Sequence, residues 1–231
     1  MKTIGLIGGM SWESSAEYYR LVNLGMKERL GGHHNARSLM VTVSFETIER
    51  LQHEGRWDEL GEHMREAALQ LQAGGADFVL LCTNTMHRVA DAIEQALDIP
   101  FIHIVDATAR ALQDAGIGRV GLLGTRFTME EAFYAGRMRE RFGIEAVVPD
   151  AADRAIVHRV IYDELCHGVV REESRAEYRR IIGALQARGV GGVILGCTEI
   201  GMLVRAQDAA LPLFDTTALH AAHAVELALA G

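Results

Sequence analysis

Two stretches of this chain follow one plan. Phe78-Val79-Leu80-Leu81-Cys82-Thr83-Asn84-Thr85-Met86 and Gly192-Val193-Ile194-Leu195-Gly196-Cys197-Thr198-Glu199-Ile200 are each a short apolar run that stops at small polar residues and leads into a helical pattern. The match extends upstream, where Ala73-Gly74-Gly75 lies opposite Ala187-Arg188-Gly189. In that register Thr83 falls opposite Cys197 and Asn84 opposite Thr198. A continuous apolar run of this length reads as a strand buried on both faces of a parallel sheet. Used twice, it predicts two similar α/β units whose polar strand ends face a common cleft.

The rest of the chain repeats with it. Thr3-Ile4-Gly5-Leu6-Ile7 reads as a buried strand closed by the tight turn Gly8-Gly9-Met10-Ser11, and Val120-Gly121-Leu122-Leu123-Gly124 echoes it. Ile99-Pro100-Phe101-Ile102 is echoed by Leu211-Pro212-Leu213-Phe214. Leu39 to Val43 and Glu145 to Val148 are further strands. Helices are expected from a Ser14/Glu17 capping box to about Leu30, from about Met86 to Leu97, Thr128 to Arg141, Ala152 to His167 and Glu172 to Arg188. Trp57, Leu60, Met64, Ala67, Ala68 and Leu71 make one apolar helical face. Strands alternating with helices give parallel sheets covered on both sides. The expected fold is therefore α/β: two domains related by a pseudo-two-fold, 1–104 and 105–215, with a last helix at about 216–231 packing on the first. Ligands of such sheets sit beyond the carboxyl ends of the strands, where Met10, Thr83, Thr125 and Cys197 all fall.

Charge and cysteine content narrow the function. A formal net charge of -8 argues against nucleic acid and anionic membrane surfaces, which need basic patches. Three cysteines do not suggest a disulfide framework, and a cytoplasmic setting is the simpler reading. The start of the sequence runs straight into a strand, without a signal-peptide pattern. Gly5-Leu6-Ile7-Gly8-Gly9 lacks the dinucleotide-binding spacing, and no phosphate-loop lysine follows either Gly-rich turn. His33-His34 read as loop residues rather than metal ligands, and His87, His103 and His220 as hydrogen-bonded structural histidines. No metal site is expected.

Cys197 stands apart. It lies where a strand ends and a helix is expected to start, and the helix amides and dipole are expected to lower its pKa from the ordinary thiol value of about 8.5. Cys82, one residue before Thr83, points to the opposite face of its strand and reads as structural.

At these residues the chain resembles the aspartate/glutamate racemases, the cofactor-independent family that includes glutamate and hydantoin racemases. The resemblance rests on Gly8-Gly9-Met10-Ser11, Asn84-Thr85 and Gly196-Cys197-Thr198-Glu199, and it spans essentially the whole chain. It implies two α/β domains with the active site between them, no cofactor, a small-molecule amino-acid substrate, a D-amino acid as product and a homodimer. Family members carry one cysteine in each half, as base and acid on opposite faces of Cα. Here the first motif reads Thr83-Asn84-Thr85 where the family has Cys-Asn-Thr. Carried over, Cys197 deprotonates the L-enantiomer and Thr83 protonates the other face. Cys166 sits near where many aspartate-racemase relatives have a lysine.

Met10, Ser11, Gln52, Asn84, Thr85, Thr125, Thr198 and Glu199 are the expected substrate contacts. Hydrogen bonds from Asn84, Thr85, Thr198 and backbone amides would stabilise the carbanion as charge develops on the substrate carboxylate. The substrate is expected to be aspartate, glutamate or a related amino acid. The alternatives are a broad-specificity racemase, a one-cysteine decarboxylase or isomerase such as the arylmalonate decarboxylases, and a carboxylate-binding protein without activity.

Overall fold

The computed structural model describes residues 1–230 and divides into two compact units. The first comprises Met1–Ile104 together with the segment beginning at His220; the second is Val105–Leu219. Elements run in the order β1 (Ile4–Gly8), α1 (Trp12–Leu30), β2 (Ser38–Thr42), α2 (Phe45–His53), α3 (Trp57–Ala73), β3 (Phe78–Leu81), α4 (Ala90–Glu94), β4 (Phe101–Ile102) and α5 (Ile104–Asp114). There follow β5 (Arg119–Gly124), α6 (Arg126–Glu130), α7 (Ala132–Phe142), β6 (Glu145–Val147), α8 (Ala151–Asp163), α9 (Glu172–Ala187), β7 (Val193–Gly196), α10 (Ile200–Leu203), β8 (Leu213–Asp215) and α11 (Thr216–Leu229). Single 3₁₀ turns occupy Thr85–Val89, Leu165–His167 and Ala206–Asp208.

Each unit holds a four-stranded parallel sheet, in the orders β2-β1-β3-β4 and β6-β5-β7-β8. This is the α/β architecture the repeat predicts. The inner strands β1, β3 and β7 are buried at every position, which is why they read as unbroken apolar runs. Alternation along each strand sorts its residues between two layers. Ile4, Leu6, Phe78, Leu80 and Cys82 meet Tyr18, Val22 and Met26 of α1 and Ala221, Ala224 and Val225 of α11. Ile7, Val79 and Leu81 meet Ile48 and Leu51 of α2, Leu60, Met64, Ala67 and Leu71 of α3, and Ile93 of α4. In the second unit Val193 and Leu195 pack with Val157, Val160 and Ile161 of α8 and Tyr178, Ile181 and Leu185 of α9. Each fully buried Leu or Ile contributes roughly 1.5–3 kcal/mol. No helix among the described residues is long and apolar enough to cross a membrane.

Several local readings change. Helix α1 starts at Trp12, capped by Ser11, whose hydroxyl accepts from the Ser14 N–H; Glu17 instead pairs with Arg20. The expected helix from Thr128 is two helices, α6 and α7, with Glu131 extended between them. The stretch after β3 opens as a 3₁₀ turn. The His87 N–H bonds the Asn84 carbonyl, and the Thr83 carbonyl, its partner in an α-helix, accepts the His87 ring instead.

Candidate active site

In a sheet of order 2-1-3-4 the chain leaves in opposite directions on either side of the boundary between strands 1 and 3. The crevice beyond the carboxyl ends of those strands is the usual ligand position. In the first unit this places the turns after β1 and β3 side by side. They are strapped together through α1. The Gly9 N–H donates to Ser15 Oγ at 2.7 Å, Ser15 Oγ donates to the Ser11 carbonyl at 2.9 Å, and Ser14 Oγ donates to the Cys82 carbonyl at 3.0 Å. Gly9 has φ +97, and a Cβ there would run into the Val43 backbone carbonyl, so only glycine fits the turn. The Met10–Ser11 peptide is cis.

Beyond β3, Thr83 is half-buried and Asn84 and Thr85 are buried. The Ile104 N–H donates to His87 Nε2 at 3.1 Å, so the ring proton is on Nδ1, which donates to the Thr83 carbonyl at 2.7 Å. His87 is thus a neutral brace under Thr83. His220 is committed in the same way, accepting from Tyr18 Oη at 2.8 Å and donating to the Ile102 carbonyl at 2.8 Å. Cys82 lies wholly inside the α1/α11 layer, and burial pushes its thiol pKa far up. Met10 and Gln52 are both drawn to Met86: Met10 shares its apolar cluster, and Gln52 Nε2 donates to Met86 Sδ at 3.1 Å.

In the second unit the equivalent crevice lies beyond β5 and β7. Thr125 caps α6, its hydroxyl accepting from the Thr128 N–H at 3.3 Å. The β7 end is tightly packed: a Cβ on Gly196 would sit 2.7 Å from the Leu123 carbonyl oxygen. Cys197 follows, half-buried against the α8/α9 layer. Its Sγ–H donates to Glu199 Oε2 at 2.9 Å. The Thr217 hydroxyl donates to that of Thr198 at 3.2 Å.

The expected lowering of the Cys197 pKa does not occur. Helix α10 has only four residues and begins at Ile200, so it offers little dipole. The thiol is instead held well above its ordinary value, first by burial, then by the negative charge of Glu199, with smaller contributions from Cys166 and the Glu199 hydrogen bond. One contact opposes this: the Glu199 backbone N–H, which bonds the sulfur and favours the thiolate. Cys166 lies on the 3₁₀ turn Leu165–His167, half-buried against the same layer.

The structure therefore brings Met10, Ser11, Thr83, Asn84 and Thr85 to one strand-end crevice and Thr125, Cys197, Thr198 and Glu199 to the other. It directs Gln52 to Met86. The sequence reads His87 as a hydrogen-bonded structural histidine, and the structure supplies its partners, the Thr83 carbonyl four residues before it and the Ile104 N–H. No group of three or more His, Cys, Asp or Glu among the described residues is disposed to hold a metal ion.

A thiol and a carboxylate hydrogen-bonded to each other at one strand end of a two-unit parallel α/β protein mark the candidate site. Residues 7–224 match the family described as Asp/Glu/Hydantoin racemase, and the chain belongs to it. Among solved structures it is similar to one from Yersinia pestis described as a "putative Asp/Glu Racemase", with 52% identity, a TM-score of 0.94 and coverage of 99% of this chain and 100% of that one. It is also similar to an aspartate racemase homologue from Pyrococcus horikoshii OT3, with 30% identity, a TM-score of 0.85 and 99% of each chain covered. The broad specificity amino-acid racemase RacX of Bacillus subtilis is 23% identical over 177 residues, 75% of this chain and 74% of that protein.

Proposed function

We propose that the protein is a cofactor-independent amino-acid racemase acting on aspartate, glutamate or a related amino acid, with Cys197 as the base on the L-face and Thr83 as the proton donor on the other. The observation that carries this reading is the half-buried Cys197 thiol at the carboxyl end of β7, hydrogen-bonded to a carboxylate. The Cα–H of an amino acid is weakly acidic, and a base held against it in a water-poor site gains about 10²–10⁴-fold in rate. Asn84, Thr85 and Thr198 supply the polar groups for the substrate carboxylate, where negative charge grows. In this reading Thr83 takes the place of the family's first cysteine. Its hydroxyl donates a proton but is a poor base.

The test is incubation with L- and D-aspartate, L- and D-glutamate and a panel of other amino acids in heavy water, read by chiral chromatography and by deuterium at Cα. Deuterated D-product from an L-substrate supports the proposal. Loss of carbon dioxide from a malonate, without exchange, makes the protein a decarboxylase. Binding of an amino acid with neither reaction makes it a carboxylate-binding protein.

A further inference from the structure

Thr83 is placed through its backbone. Its N–H donates to the Leu81 carbonyl at 2.9 Å, and its own carbonyl accepts from His87 Nδ1 at 2.7 Å. Among the described residues nothing hydrogen-bonds its hydroxyl. The first bond is local to the strand end. The second leads through the buried His87 ring to the Ile104 N–H, at 3.1 Å from Nε2, and so ties the exit of β3 to the start of α5.

This bridge holds in one protonation state only. A second proton has to go on Nε2, opposite the Ile104 N–H, which can only donate. Two donors then meet across 3.1 Å, a charge is buried, and the Ile104 bond is lost. His220 has no such conflict, because the Tyr18 hydroxyl at its Nδ1 can turn from donor to acceptor. Three elements bring titratable groups to the His87 ring. His103, just beyond β4, has its ring centroid 4.4 Å away, His220 on α11 lies at 6.0 Å, and Tyr18 on α1 joins through His220. Arg88, next in the chain, lies over the Trp57 ring of α3.

We propose that His87 is a positioning residue for Thr83, and that its hold on the Thr83 turn is released when the ring takes a second proton. The proposal rests on the reading of Thr83 as the proton donor. With the bridge made, Thr83 protonates the carbanion, D-product leaves, and solvent returns a proton to Thr83 while Cys197 gives one up. With the bridge broken, Cys197 hands its proton back and the carbanion returns to L-substrate. His87 thus sets how the carbanion divides and not how fast it forms. Acid favours the broken bridge, since the released ring binds a proton that the bridged ring excludes, and the effect grows below about pH 6.5, where a free histidine charges.

The test incubates the full chain with L-aspartate or L-glutamate in heavy water from about pH 5 to about pH 8. Chiral chromatography reads D-product, and mass spectrometry reads deuterium in the recovered L-substrate. Both need the same first deprotonation, so their ratio is blind to the resting state of Cys197. In the unmodified protein the ratio should fall about threefold or more from about pH 7.5 to about pH 5. His87→Asn has an amide donor near the place of Nδ1 and does not titrate; its ratio at about pH 7.5 should stay within about threefold of the unmodified value, without the acid fall. His87→Leu should lower the ratio about tenfold or more at every pH, with KM kept within about threefold. Cys82, buried in the native fold, should resist iodoacetamide in each variant and reports that it is folded.

A ratio that does not change with pH in the unmodified protein overturns the release, and an acid fall that persists in His87→Asn places it on another group. An unchanged ratio in His87→Leu, or equal losses of both rates, makes the ring a support of the fold alone. If the unmodified protein exchanges neither amino acid, the racemase reading fails. The hold is then decided by nitrogen NMR of the imidazole rings, where the His87 signals are those missing from His87→Asn. A second proton on that ring should come with lower hydrogen-exchange protection of the Ile104 amide; an amide that stays protected overturns the release.

Discussion

The strand ends of β3 and β7 are built to one plan and finished differently. Beyond β3 the cysteine comes one residue early, at Cys82, and alternation turns it into the core. The next position, Thr83, has a hydroxyl, and its carbonyl is gripped by the neutral His87 ring. Beyond β7 the position matching Cys82 is Gly196, and the cysteine falls where Thr83 falls in the other unit. It is gripped by Glu199. The same strand exit therefore carries a hydroxyl residue whose carbonyl is braced by a histidine ring in one unit and a thiol hydrogen-bonded to a carboxylate in the other. A one-residue change of phase decides whether a cysteine turns into the core or stands half-buried beyond the strand end.

The sharpest way to break this comparison is to remove each cysteine in turn. Cys197→Ala should lower Cα exchange from an L-substrate by about 10³-fold or more, whereas Cys82→Ala should retain it; equal losses would show that position along the strand does not separate the two. Thr83→Cys makes the two ends alike and should raise the single-turnover exchange of D-substrate by about tenfold or more, because a thiolate forms near neutral pH and a threonine alkoxide does not. The two enantiomers of a free amino acid are equal in energy, so steady-state kcat/KM stays matched in both directions. The asymmetry is read in single turnovers and in kcat and KM separately. Deuterium entering both enantiomers equally in the unmodified protein, with no gain in Thr83→Cys, would remove Thr83 from the mechanism.

Smaller effects test the supports. Gly196→Ala forces a Cβ against the Leu123 carbonyl and should cost about 1–3 kcal/mol of stability while displacing Cys197 enough to slow exchange; denaturant unfolding and the exchange assay measure both. Cys82→Ser buries a hydroxyl among apolar side chains and should cost a similar ~1–3 kcal/mol with exchange unaffected.

The smallest effect is the pH dependence of stability. Cys82 and Cys197 have thiol pKa values raised in the fold. Their contribution is complete below the unfolded value of about 8.5. It declines above it, because the unfolded chain loses protons that the folded one keeps. Thermal unfolding should show stability falling from about pH 8.5 upward, with a shallower fall in Cys82→Ala.

Both sheets were legible because β1, β3 and β7 are buried on two faces and show it as apolar runs. The positions of Met10, Thr83, Thr125 and Cys197 at strand ends followed from the same runs. What was hidden depends on contacts remote in sequence or on local folding without a compositional mark. No glycine or proline announces the break at Glu131. The 3₁₀ turn at Thr85 depends on a bond to Ile104, which lies on a different element. Above all, the sign of the Cys197 shift depends on how long α10 is and where one carboxylate folds. Residue spacing gives neither.

Helix α11 has a consequence for how the molecule is made. Its first residues belong to the second unit, and from His220 onward it belongs to the first, where Ala221, Ala224, Val225 and Ala228 cover one layer of the β1–β4 sheet. On the ribosome, residues 105–219 emerge as one uninterrupted piece. The first unit, begun earlier, waits for a segment synthesised after all of it. Until His220 arrives to take the Tyr18 hydroxyl and the Ile102 carbonyl, the α1 layer lacks its lid. The half of the protein that is translated first is thus the half that finishes folding last, and it is this half that a nascent-chain chaperone would be called on to shield.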